Sequence, residues 1–124
     1  MTDRDVVRAV WNRAAGGDGS GTGDRHLGAL LLVDGMVQNG GANHAADSCS
    51  TDELAAAAVG ARYFGMGDLA GLIEELPKAA GSSDDDEAEE RLSAAWHATV
   101  PDSARLEAAF EERLAAAPQD FDPV

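Results

Sequence analysis

Aromatic residues make up only 5% of this sequence, cysteine occurs once, and nine lysines and arginines are spread over 124 residues. Each shortage excludes something. The lone Cys49 has no partner for an internal disulfide, so nothing points to an oxidising compartment. No segment has the roughly 18 consecutive apolar residues of a membrane-spanning helix. The opening MTDRDVVRAVW lacks the apolar stretch of a secretory leader. A cytoplasmic protein that does not enter membranes is the expectation. With so few aromatics, the core must be built from Leu, Val, Ile and Ala, anchored by Trp11, Tyr63, Phe64, Trp96 and Phe110. Alanine packs closely but removes little apolar area from water. Close helix–helix contacts are therefore expected, or stability gained by self-association as a homodimer.

What is abundant is negative charge: 23 Asp and Glu against 9 Lys and Arg, for a formal net charge of −14. The imbalance is lopsided. Residues 1–62 hold 8 acids and 5 bases, −3, whereas residues 63–124 hold 15 acids and 4 bases, −11. A field of this sign repels nucleic acid and anionic membrane and attracts basic surfaces. Direct nucleic-acid binding is thereby disfavoured. The commonest role of such charge is to keep a protein soluble.

Helical periodicity recurs throughout and strand alternation is missing. The pattern predicts an all-α fold, a compact single-domain bundle or array of about six short helices. An N-terminal helix over residues 1–15 carries Val6, Val7, Val10, Trp11 and Ala14 on one stripe, with Thr2 as its cap. Residues 16–23, GGDGSGTG, read as a flexible linker. The main body is expected over residues 24–121, with 122–124 as a tail. Its first helix is expected from Asp24 to Gln38, ended by Asn39-Gly40-Gly41, where one glycine takes the left-handed conformation that often closes a helix. Residues 42–49 read as a short helix or turn. Ser50 and Glu53 have capping-box form before Leu54, Ala57, Ala58, Ala61 and Phe64, a stripe suited to a close crossing. Asp68 caps the next helix, whose face is Leu69, Leu72, Ile73 and Leu76, and Pro77 and Gly81 close it. Ser82 or Ser83 caps a helix with Ala88, Leu92, Ala95, Trp96 and Thr99 inward. The last helix turns Leu106, Phe110, Leu114 and Ala117 inward, and Phe121 docks on the body beyond Pro118.

Motifs for chemistry are sparse. A phosphate loop needs Lys and then Ser or Thr after its last glycine, but Asp24 and Arg25 follow here. His44, Asp47 and Cys49 are ligand types for zinc, yet the spacing fits no zinc pattern and a second cluster is missing; His26 and His97 lie elsewhere. No metal and no cofactor are expected. Cys49 and His44 are five apart, which on a helix separates a nucleophile from its base. Asp34 is the one acid placed by pattern near a core face, and Arg25 or Arg62 is its expected partner. The acidic run 84–90 lacks the alternating ligands and turn glycine of a calcium loop. It reads as a solvated helix start, or as a face for a basic partner.

The stretch from Gly23 to Leu76 resembles the bacterial DNA-mimic protein family, DMP nineteen-like, otherwise a domain of unknown function. The residues that carry the resemblance are Gln38-Asn39-Gly40-Gly41, the Val59-Gly60-Ala61 step in an Ala-rich helix, the apolar helix with Leu69, Leu72, Ile73 and Leu76, and Pro118, Asp120 and Phe121 near the end. Where the family has aromatics after Asn-Gly-Gly, this sequence has Ala42, Asn43, His44, Ala45 and Ala46. The resemblance implies an acidic helical protein that occupies the DNA site of a transcription regulator.

These readings converge on an acidic protein-interaction module and not an enzyme. Its partner would be a basic protein, either a DNA-binding protein deceived by a DNA mimic or a toxin or nuclease blocked by an immunity-type inhibitor. The expected partner-binding residues are Asp84, Asp85, Asp86, Glu87, Glu89 and Glu90, with Glu107, Glu111 and Glu112 on the last helix. Asn39, Gly40 and Gly41 form the structural turn. The reading from a third class is a small enzyme with a site near Asp34, Asn39 and His44.

Overall fold

The computed structural model describes residues 3–80 and 85–124. Six helices follow one another: α1 Asp3–Ala15, α2 Thr22–Ser48, α3 Thr51–Tyr63, α4 Gly67–Ala80, α5 Asp85–Thr99 and α6 Ala104–Ala116, then a single 3-10 turn, Pro118–Asp120. No strand occurs among the described residues. Thr2, Gly81, Ser82, Ser83 and Asp84 lie outside them.

The expected apolar stripes are the ones that face inward. Leu27, Leu30, Val33 and Val37 of α2 are buried, and α2 packs against α1, α3, α4 and α5. Leu69, Ile73 and Leu76 of α4, Leu92 and Trp96 of α5, and Leu106 and Phe110 of α6 join the same core, together with Val10 and Ala14 of α1. Each large side chain so buried contributes about 1.5–3 kcal/mol relative to exposure. The small residues of α3 serve close approach: Ala57 and Ala61 are fully buried, and a Cβ on Gly60 would lie 2.6 Å from the backbone carbonyl oxygen of His26. Ser50 and Glu53 form the capping box, with Ser50 N donating to Glu53 Oε1 at 2.8 Å and Glu53 N to Ser50 Oγ at 3.1 Å.

Two expected helix ends are absent. Asn39-Gly40-Gly41 does not terminate α2; the helix kinks at Gly41, with φ 88° and ψ 179°, and resumes to Ser48. The resumption is possible because α5 supplies partners for the backbone donors freed at the kink. Nor does Pro77 end α4, which continues to Ala80. Proline removes one backbone donor. Pro77 is exposed and only three residues follow it in the helix, so the loss is confined to the last turn.

Candidate functional site

The nine expected partner-binding acids divide by environment. Asp84 and the side chain of Asp85 lie outside the described residues. Asp86, Glu87 and Glu90 are exposed on the first turns of α5. Glu89 is not available in the same way. Its carboxylate turns inward and accepts from Asn43 N, while its Oε1 accepts from Ser93 Oγ at 3.1 Å; Ser93 Oγ in turn accepts from Ala42 N at 3.2 Å. Ala42 and Asn43 open the second stretch of α2, so their N–H groups have no carbonyl a turn earlier to bond. Glu89 and Ser93 cap that stretch from a neighbouring helix. Glu89 thus has a capping role within the fold.

The acids of α6 meet cations. Glu111 forms an ion pair with Arg4, and Glu107 and Glu111 border a groove with Arg4, Val7, Arg8 and Trp11 of α1. Glu112 is exposed. Among the described residues, Arg4, Arg13, Arg62, Arg91, Arg105 and Arg113, six of the nine bases, lie in ion pairs. The Arg105 guanidinium grips Asp68 at 3.0 Å and holds that carboxyl below its ordinary range.

Of the residues considered for an enzyme site, Asp34 and His44 have partners within the fold. Asp34 Oδ1 accepts from the indole Nε1 of buried Trp96 at 2.9 Å and from Gln38 Nε2 at 3.4 Å. Neither expected arginine reaches it: Arg25 donates to Ser20 O, and Arg62 pairs with Glu74. Asn39 is exposed, and His44 lies 3.4 Å from Ser48 Oγ, one turn on. Cys49 is buried, which pushes its thiol pKa up, with nearby Glu53 adding to the rise. Among the described residues no three His, Cys, Asp or Glu side chains are grouped to hold a metal ion. No helix among them is long and apolar enough to cross a membrane.

The most elaborately built polar constellation lies where sequence reasoning placed a flexible joint and a tail. Asp24 is 1% exposed, the one charged residue buried in the core among the described residues. Arg13 Nη2 donates to Asp24 Oδ1 at 2.7 Å, and Asp122 N donates to Asp24 Oδ2 at 2.6 Å. The same arginine donates to the carbonyls of Asp122 at 2.9 Å and Pro123 at 3.2 Å. The Asp122 carboxylate accepts from Ser20 N at 2.7 Å and Ser20 Oγ at 3.0 Å, bonds that hold its pKa down. Asp120 accepts from Tyr63 Oη at 2.6 Å; burial, then this bond, raises the phenol pKa. His26 stacks on Tyr63 with centroids 4.5 Å apart, and Arg113 covers the Tyr63 ring at 4.3 Å. Burial lowers the His26 pKa, opposed by Asp120 and assisted by Arg113.

Phe121 completes the arrangement. It is buried edge-on to Phe110 at 5.6 Å and fills the space above Gly23, where a Cβ would lie 2.5 Å from its ring. At Gly21 a Cβ would lie 2.5 Å from the backbone oxygen of Asp120. The expected docking of Phe121 is present, but its receptor, residues 19–24, was unforeseen. Five glycines in eight residues could have signalled a close backbone approach as readily as flexibility.

The chain matches no protein-family model, no curated protein and no solved structure.

Proposed function

We propose that the protein is an acidic interaction module that binds a basic DNA-binding protein in the manner of a DNA mimic. The observation that carries this reading is the exposed row Asp86, Glu87 and Glu90 at the start of α5, in the half of the chain with a net charge of −11. Residues three and four apart on a helix stand about 5–6 Å from one another, so the row sets carboxylates at closely repeated intervals. The row is counted against few bases: the half of the chain that carries it holds 15 acids and 4 bases. The family resemblance of the Asn-Gly-Gly and Val59-Gly60-Ala61 steps supports the same reading. Glu89 belongs to the fold and is excluded from the face.

The test begins with affinity capture from the native host at low and high salt. The triple variant Asp86→Asn, Glu87→Gln, Glu90→Gln should then bind the captured partner more weakly, through slower association, and with a shallower salt dependence. Its melting temperature should stay close to wild type, because exposed acids contribute little to stability. Equal affinity and equal salt slope for wild type and variant would defeat the acidic-face reading.

A further inference from the structure

The groove between α1 and α6 is built unlike the rest of this acidic surface. Its floor is aromatic: Trp11 is half-buried, Phe110 is fully buried, and their ring centroids stand 5.7 Å apart. Arg4, Val7, Arg8 and Trp11 are spaced to share one face of α1, and Glu107, Phe110 and Glu111 to share one face of α6; all of them line the groove. One wall thus carries guanidinium groups and the other carboxylates. Arg4 and Glu111 pair with each other. Arg8 and Glu107 do not meet, and among the described residues the side chain of neither forms an ion pair or a hydrogen bond. A carboxylate in the first turn of α6 is favoured by the helix dipole, so Glu107 needs no cation of its own there.

We propose that this groove binds a free α-amino acid with a large apolar side chain, held by Arg8 at its carboxylate and by Glu107 at its ammonium group. The charges select this class. With Arg4 and Glu111 offsetting each other, one cation and one anion are left open, and they sum to zero. An anion such as phosphate would satisfy Arg8 but face Glu107 and Glu111. A simple cation would satisfy Glu107 but face Arg4 and Arg8. A ligand that carries both charges satisfies both walls at once. The guanidinium of Arg8 is a planar fork that matches a carboxylate through two parallel bonds, and the side chain of Asn12, one turn on, lines the same wall. Glu107 accepts a charge-assisted bond from the ammonium group. The apolar side chain of the ligand then lies on Trp11, Phe110 and Val7, where aromatic rings offer a large contact area. The cavity volume is about 330 Å³. Ligand pockets span roughly 300–1,000 Å³, so the size suits one amino acid and not a peptide. No residue of the acidic row on α5 takes part, so this site goes beyond the interaction-module reading and is tested separately from it.

Intrinsic fluorescence reads the site, because Trp11 lines the groove whereas Trp96, the other tryptophan, is buried against Asp34. The full-length protein is titrated with L-phenylalanine and L-leucine, and with two blocked forms: phenylalanine amide, which lacks the carboxylate, and N-acetylphenylalanine, which lacks the ammonium group. Both amino acids should shift the emission saturably. Each blocked form should bind at least about ten-fold more weakly than phenylalanine, the usual effect of losing one charge-assisted bond. Arg8→Gln should weaken phenylalanine by a similar factor and erase the discrimination against the amide, while keeping that against the N-acetyl form. Glu107→Gln should do the reverse. Both side chains are exposed, so circular dichroism and melting temperature should match wild type in each variant. In Trp11→Phe the fluorescence response should vanish while calorimetry still reports binding. No saturable binding of either amino acid, by fluorescence and by calorimetry, would overturn the site. Equal affinity for free and blocked forms, or discrimination that both variants leave untouched, would overturn the assignment of Arg8 and Glu107.

Discussion

At Gly41 a positive φ and a close approach coincide; within residues 16–23 the two also occur apart, with a positive φ and open space at Gly17 and a close approach with ordinary torsions at Gly21 and Gly23. Gly41 has φ 88° and ψ 179°, a combination essentially closed to other residues, and its neighbour Gly40 has no positive φ. The glycines at 21 and 23 have ordinary torsions, yet a methyl group on either would strike residues 120–122. Both regions also recruit a carboxylate distant in sequence: Glu89 to Asn43, and Asp122 to Ser20. The comparison teaches that a glycine cluster has two physical meanings, conformation and clearance. Only the three-dimensional neighbours distinguish them.

The largest effect is expected at the buried carboxylate. Asp24→Ala strands Arg13 and the Asp122 N–H together, and loss of one partner of a buried pair costs about 3 kcal/mol, since Arg13 is partly exposed. Urea unfolding measures it. A loss below about 1 kcal/mol would mean that the Asp24–Arg13 cluster is peripheral to the fold. Next comes Gly41→Ala, for which the strained torsion and the approach of Glu89 predict a loss of about 2 kcal/mol. Gly40→Ala should cost less, about 1 kcal/mol, because its torsions suit alanine but the added methyl would press on the His44 ring and Cβ, which must shift. Equal losses at 40 and 41 would erase the distinction between the two neighbours.

Glu89→Ala should cost about 1 kcal/mol, the usual value of a helix cap, whereas Glu90→Gln one residue away should be silent. Adjacent acids in one run thus serve different ends. The smallest effect is at His26. Burial holds its pKa below the ordinary 6.5, so the unfolded chain takes up a proton first as pH falls. The His26 contribution declines from pH 6.5 down to the folded pKa and is flat below it. Melting temperature should therefore fall between pH 7 and pH 5.5 in wild type, and fall less in His26→Gln. An identical fall in both would show that the His26–Tyr63 stack does not sense the proton.

By itself the sequence determined the helices and their inward faces. Leu27, Leu30, Val33 and Val37, Leu69, Ile73 and Leu76, and Leu92 and Trp96 recur at helical spacing, and periodicity is a local property that survives without neighbours. The capping box at Ser50 and Glu53 was legible for the same reason, since its two bonds close within four residues. Tertiary structure alone decided that α2 resumes beyond Gly41, that Trp96 and not an arginine satisfies Asp34, and that Arg13, Ser20, Asp24 and Tyr63 converge on residues 120–123. Those contacts join residues 46 to 110 positions apart. Their partners are polar groups that water would satisfy equally well in an unfolded chain, so no local pattern marks them. They are fixed only when packing removes the water and leaves few acceptors within reach of each donor.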